Sequence, residues 1–147
     1  MKKVLAFLVI IAIAAIAHTA DQWITVSKVF DGVVLSGTSA TNTVINISNE
    51  RLHGYWALQA HVTGTGTVDR ITYEVSLDGV NYMAPASGHQ TGLDYEDGLI
   101  MTNLTATSGV NGDGKDYTGF TPPLAKYLRI IISGTAVTTN TVWLGRQ

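Results

Sequence analysis

The chain has 147 residues, which is the length of one domain, and it contains no cysteine. It therefore has neither a disulfide framework nor a thiolate that binds a metal or attacks a substrate. After residue 20 it holds seven Lys and Arg against eleven Asp and Glu, a net charge of −4. Because a phosphate backbone is bound by clustered basic residues, this balance argues against a nucleic-acid partner.

The beginning of the chain has the layout of a secretory signal peptide. Lys2 and Lys3 precede an apolar run over residues 4–17, which gives a positive n-region and a hydrophobic h-region. The run is shorter than the roughly 20 residues that span a bilayer. We predict that residues 1–20 are a signal peptide, or a hydrophobic helix if they are retained. Residues 21–147 then form one domain, secreted or held at the cell surface, which meets a membrane only through the leader during export.

The rest of the sequence is rich in Thr, Val, Ile and Gly, and in several segments apolar and polar residues alternate. Alternation with period two indicates half-buried β-strands, and β-branched residues favour them. Turn residues recur roughly every 8–12 positions, as in an all-β sandwich. In chain order, the predicted strands are Trp23–Val29, Gly32–Leu35, Thr43–Ile47, Tyr55–Val62, Ile71–Leu77, Leu99–Leu104, Tyr127–Ile132 and Thr139–Leu144.

These seven or eight antiparallel strands predict a single β-sandwich, either immunoglobulin-like or jelly-roll-like. Asp78 and Gly79 separate two apolar runs and favour a type I′ hairpin. The last strand is apolar on both sides, so its buried face stays open. Three strands alternate clearly, and their predicted inward residues are Trp56, Leu58, Ala60, Val62, Ile71, Tyr73, Val75, Leu77, Leu128, Ile130 and Ile132.

Two stretches of the sequence, Ile71–Tyr82 and Phe120–Ile130, are strand-and-turn motifs that occur together. They resemble β-sandwich domains of bacterial surface proteins and of phage virion proteins, over Tyr55–Leu144 at most. The resemblance implies a structural or adhesive role and brings no catalytic residues with it. Since the phage members generally lack a secretion leader, the leader of this chain favours the cell-surface members.

Candidate catalytic groups are sparse. The serines lie in no nucleophile-elbow pattern, and the histidines have no metal-ligand spacing. We therefore predict that the protein is not an enzyme and has no cofactor, with a small hydrolase as a distant alternative. The one exception is calcium: Asn111, Asp113 and Asp116 alternate with glycine, as hard-cation ligands do. The alternative for these three residues is a plain turn, because Asn-Gly and Asp-Gly are common turn formers.

Tyrosines in predicted loops or strand ends are candidates for a sugar-binding platform. Tyr82, Tyr95 and Tyr117 have amphipathic rings that stack on sugars or, alternatively, seal the ends of the sandwich. The favoured hypothesis is different: an exported structural subunit of an extracellular or cell-surface assembly or filament. It would self-associate through edge strands or through the N-terminal segment Asp21–Ile47, unless that segment pairs within its own sandwich. A secreted carbohydrate-binding or adhesion module is the alternative function.

Overall fold

The computed structural model describes residues 25–48, 56–85 and 98–146, so the predicted leader lies outside the described residues. The elements within these ranges are all strands. None of them is a helix of the length and apolar character that crossing a membrane requires. The strands are β1 (Thr25–Leu35), β2 (Ser39–Asn46), β3 (Trp56–Gly64), β4 (Thr67–Ser76), β5 (Leu99–Leu104), β6 (Lys115–Phe120), β7 (Tyr127–Thr135) and β8 (Thr138–Arg146).

The strands form two antiparallel sheets of four strands each. Sheet I has the order β1-β8-β3-β6, and sheet II has the order β2-β7-β4-β5. Strand β1 pairs with β8, β2 with β7, β3 with β6 and β4 with β5. The chain is thus a long antiparallel ribbon rolled across both sheets, which is the jelly-roll arrangement and not the immunoglobulin one.

The predicted alternation is confirmed in β3 and β7, where one face of each strand points into the space between the sheets. The structure also shows which face of the last strand is buried: Val142 and Leu144 are fully buried, and Trp143 faces outward. Burying these side chains between the sheets is the main source of stability. Predicted inward residues that are buried are Trp56, Leu58, Ala60, Val62, Ile71, Tyr73, Leu128, Ile130 and Ile132, while Val75 is half-buried against the core.

The prediction for Leu77 was wrong: its side chain is 69% exposed. Strand β4 ends at Ser76, and alternation no longer applies beyond a strand end. Ser76 is buried and donates its hydroxyl to Asp78 Oδ1 at 2.9 Å, while accepting the Gly79 N–H at 3.0 Å. The chain therefore turns outward one residue earlier than the apolar pattern suggests.

The type I′ hairpin at Asp78 and Gly79 was also wrong. A type I′ turn needs positive φ at both central residues, and of these two only Gly79 has it, at 78°. The loop instead closes around the Asp78 carboxylate, which accepts the N–H groups of Val80 and Asn81, each at 2.8 Å. The hydrogen bond from the Asn81 N–H, then that from Val80, holds the pKa of Asp78 well below its ordinary value.

Three further strand predictions need correction. The two weak strands before residue 36 are one strand, β1, which continues through two register irregularities. The strand predicted to begin at Thr43 begins four residues earlier, at Ser39. Strand β6 was missed because it is a short edge strand with mostly exposed residues, so its sequence shows no apolar alternation. Strand Leu99–Leu104 is confirmed as β5.

Candidate functional site

The outer face of sheet I carries two aromatic side chains in one row. Gln59 of β3 lies opposite Trp143 of β8 on one side and opposite Tyr117 of β6 on the other. All three point outward, because Leu58 and Ala60, the neighbours of Gln59, are buried in the core. Adjacent strands are about 4.8 Å apart, so the backbones of the two aromatic residues are separated by roughly 9.6 Å.

The next row along the same face has almost no side chains. Gly145, Ala57 and Gly119 lie opposite one another in β8, β3 and β6. Together with the aromatic row they form a groove of about 580 Å³. Its lining residues are Val26, Trp56, Ala57, Gln59, Tyr117, Gly119, Phe120, Thr121, Trp143, Gly145 and Arg146.

The two glycines of this row are not required by the backbone. Every other described glycine has a positive φ or would place a Cβ within 3.0 Å of a backbone oxygen. A Cβ on Gly119 would lie 3.6 Å from Trp56 O, and one on Gly145 would lie 3.8 Å from Ala57 O, which are ordinary contacts. Glycine costs strand stability relative to larger residues, so what these two positions provide is an open groove.

The groove is mostly apolar and nearly uncharged. Gln59 and Thr121 contribute an amide and a hydroxyl, and Arg146 is the only lining residue with a formal charge. Lys28 lies opposite Trp143 in the sheet, but its ammonium is paired with Asp31 at 3.0 Å. Such a surface suits a ligand with apolar faces and hydrogen-bonding edges.

The structure separates the tyrosines predicted to form a sugar platform. Tyr117 is 67% exposed and lies within β6 rather than in a loop or at a strand end. Tyr82 instead packs under the Arg129 guanidinium, 4.1 Å from its ring centroid. Arg129 belongs to β7 in sheet II and donates its Nε–H to Glu74 Oε2 at 2.7 Å. Tyr82 therefore packs against sheet II, whereas Tyr117 belongs to sheet I, and Tyr95 lies outside the described residues.

Sequence reasoning missed Trp143, the second aromatic residue of the groove. The signal was present in the alternation of the last strand, where Val142 and Leu144 flank Trp143. The ambiguity arose because both faces of that strand carry apolar side chains. Only the pairing of β8 with β3 shows that Trp143 lies across Gln59 from Tyr117.

The predicted calcium ligands Asn111, Asp113 and Asp116 line one shallow depression of about 290 Å³ together with Lys115. The Lys115 ammonium lies 2.8 Å from Asp113 Oδ2, and this hydrogen bond lowers the pKa of Asp113. Asp116 accepts the Tyr117 N–H at 2.8 Å. Within the described ranges no three His, Asp or Glu side chains come together to hold a metal. The arrangement favours the turn interpretation.

Three of the four edge strands have features that discourage pairing with another chain. Strand β1 contains two register irregularities and the charged residues Lys28 and Asp31. Strand β6 has six residues and begins with Lys115 and Asp116. Strand β5 is equally short, has a register shift against β4 and contains Asn103 at a φ of 54°. Bulges, charges and short length are the usual protections of an exposed edge.

Strand β2 lacks these protections. Its eight residues, Ser39–Asn46, include no charge and no proline, and their register with β7 is unbroken. Among the described strands it pairs with β7 alone. The N-terminal strand β1, in contrast, pairs with β8 of its own sandwich, which is the intrachain alternative considered from the sequence.

Comparison with protein-family models, with curated proteins and with solved structures finds no match for this chain. Function is therefore inferred from the groove on sheet I and from the edge of sheet II.

Proposed function

We propose that this protein is an exported, non-catalytic domain that binds oligosaccharides in the groove on sheet I. The observation that carries the proposal is the pair of outward aromatic side chains, Trp143 and Tyr117, on either side of Gln59 and beside a floor of glycine and alanine. Export is supported by the basic and apolar pattern of residues 1–20.

The chemistry of a sugar ring fits this surface. A pyranose has an apolar face of C–H groups and a rim of hydroxyls, so it stacks on an aromatic ring while its edge forms hydrogen bonds. The Gln59 amide lies between the two rings and offers both a donor and an acceptor. The groove volume falls within the range of small-molecule sites.

The test is a calorimetric titration of the exported protein with cellohexaose, xylohexaose and mannohexaose, after a glycan array. We expect binding, and we expect Trp143→Ala and Tyr117→Ala each to weaken it by about tenfold, the equivalent of about 1.4 kcal/mol. Gly145→Val should abolish it by filling the groove, since a Cβ fits there. Tyr82→Ala, on the other sheet, is the matched control and should bind normally. A blank array, or normal binding by Gly145→Val, would refute the proposal.

We propose, second, that the chain is a structural subunit of a cell-surface assembly. The specific observation in favour is the edge of β2, which is uncharged and regular and which no other described strand pairs, because an exposed edge of this kind is a template for another strand. The two proposals are compatible, since the groove and the edge belong to different sheets.

A further inference from the structure

The backbone groups of β2 that face away from β7 can be identified. Ile47, which follows β2, donates its N–H to Lys126 O at 2.8 Å and so continues the pairing of β2 with β7. Along a strand, successive residues direct their N–H and C=O to opposite sides. The N–H and C=O groups of Ala40, Asn42 and Val44, and of Asn46, therefore point to the open edge.

From this edge we infer that β2 pairs antiparallel with β2 of a second copy of the chain, forming a two-fold dimer with one continuous eight-stranded sheet. The inference rests on the second proposed function and specifies its partner. In one register all four outward residues take part: Asn42 pairs with Val44 of the second copy and Ala40 with Asn46. Thr43 then lies on the two-fold axis, opposite Thr43 of the second copy.

The composition of β2 suits a two-fold axis. Identical residues meet at such an axis, so a charge near it would face a like charge and oppose pairing. Strand β2 has no charged residue, and Val44, which is 48% exposed, would lie beside Asn42 of the second copy. A free chain of different sequence could also occupy the edge, but only a second copy brings the same unprotected edge to the contact.

The contact also limits the size of the assembly. A contact between identical surfaces is isologous and closes at two copies, whereas a filament needs two different complementary surfaces. The other described edges, β1, β5 and β6, are the protected ones. The geometry therefore points to a closed dimer rather than to the filament considered from the sequence.

A single cysteine tests the register, because the chain has none of its own. Thr43→Cys should oxidise to a covalent dimer, since directly opposed residues of a non-hydrogen-bonded pair have Cα atoms about 4.5 Å apart, within disulfide range. Thr41→Cys is the matched control on the same strand face. In this register its two copies are four positions apart, about 14 Å, and should not cross-link.

Light scattering of the exported protein supplies the second measurement. We expect twice the monomer mass for the native chain and for Asn42→Thr, and the monomer mass for Asn42→Pro. Proline removes only an outward N–H and leaves the ladder with β7 intact, and an unchanged circular dichroism spectrum checks that the variant is folded.

The outcomes separate this inference from the proposed functions. A native chain that is monomeric at every concentration would overturn both the dimer and the structural-subunit proposal. Filaments without cross-linking at Thr43→Cys, or equal cross-linking at Thr41→Cys, would overturn the dimer alone. Sugar binding by monomeric Asn42→Pro tests the groove independently of either.

Discussion

Among the described residues one asparagine is buried in the core, and it tests how the first and last strands of the ribbon are joined. Asn140 in β8 is fully buried, and its Nδ2 donates to Val33 O in β1 at 3.1 Å and to Thr138 Oγ1 at 3.0 Å. This side chain thus ties β8 to the irregular part of β1. Its Oδ1 has no hydrogen-bond partner among the described residues. The informative substitution is Asn140→Asp, which keeps the shape and replaces the donor with an acceptor.

At neutral pH the new carboxylate would face the Val33 carbonyl oxygen with no donor toward it. The hydrogen bond to Val33 O is lost, at about 0.5–1.5 kcal/mol, whereas the Thr138 hydroxyl can rotate and donate to the carboxylate. The carboxylate is then buried without an opposite charge. Removing one partner of a buried charged pair costs about 3–5 kcal/mol, and the same reasoning applies here. Because a small domain has a total stability of only about 5–15 kcal/mol, the loss should be plain in an unfolding curve.

The loss should also depend on pH. Burial raises the pKa of the introduced carboxyl above its unfolded value of about 3.9, so the folded state binds the proton more tightly than the unfolded state. Protonated, the group donates to Val33 O again. Stability relative to the native chain should therefore be greatest below about pH 4, and fall by up to about 1.4 kcal/mol per pH unit until the folded pKa is passed.

The assay is urea unfolding, followed by tryptophan fluorescence, at several pH values between about 4 and 7. Asn140→Leu is the uncharged control. It loses both hydrogen bonds of the asparagine, removes the unpartnered Oδ1, and should show a smaller deficit that does not change with pH. If Asn140→Asp equals the native chain at pH 7, or if its deficit is the same at every pH, the assigned contacts of Asn140 are incorrect.

Two other predictions concern loops. Asp78→Ala should lower the melting temperature at pH 7, because four hydrogen-bonded groups lose their acceptor. The difference from the native chain should shrink below about pH 4, because the lowered pKa of Asp78 means that its stabilisation is lost when the carboxylate is protonated. Gly114→Ala should lower it far more than Gly112→Ala. Both glycines have positive φ, but a Cβ at Gly114 would lie 2.2 Å from Val62 O, against 3.7 Å for the nearest atom at Gly112. Equal melting temperatures in either comparison would contradict the reasoning.

The part of the fold that could be predicted from the sequence depends mostly on the alternation of apolar and polar residues within single strands. Strands β3 and β7 each bury one face completely, so their alternation is unbroken and their inward residues were predicted correctly. Strand β6 lies at an edge, where little is buried, and left no such pattern. The sheet order depends on contacts between distant strands, such as β1 with β8, for which no local residue pattern exists.

The groove was half predictable for the same reason. Tyr117 was proposed for its amphipathic ring, although it was placed in a loop or at a strand end and not within a strand. Trp143 was not proposed, because both sides of its strand carry apolar residues and the outward face could not be assigned. Their shared row is a property of register, since a slip of two residues between β8 and β3 would keep Trp143 on the outer face but place it beside a different residue. Period alone assigns a face, whereas pairing assigns neighbours.

The jelly-roll ribbon places the groove and the open edge so that neither obstructs the other. The groove lies on the outer face of sheet I, and the inferred dimer extends sheet II beyond β2. Each dimer would therefore present two grooves while its contact surface holds none of the groove residues. Two linked sites bind a repetitive surface far more tightly than either site alone. Weak stacking on a single sugar chain and a small dimer contact would then suffice, together, for adhesion to a glycan-coated surface.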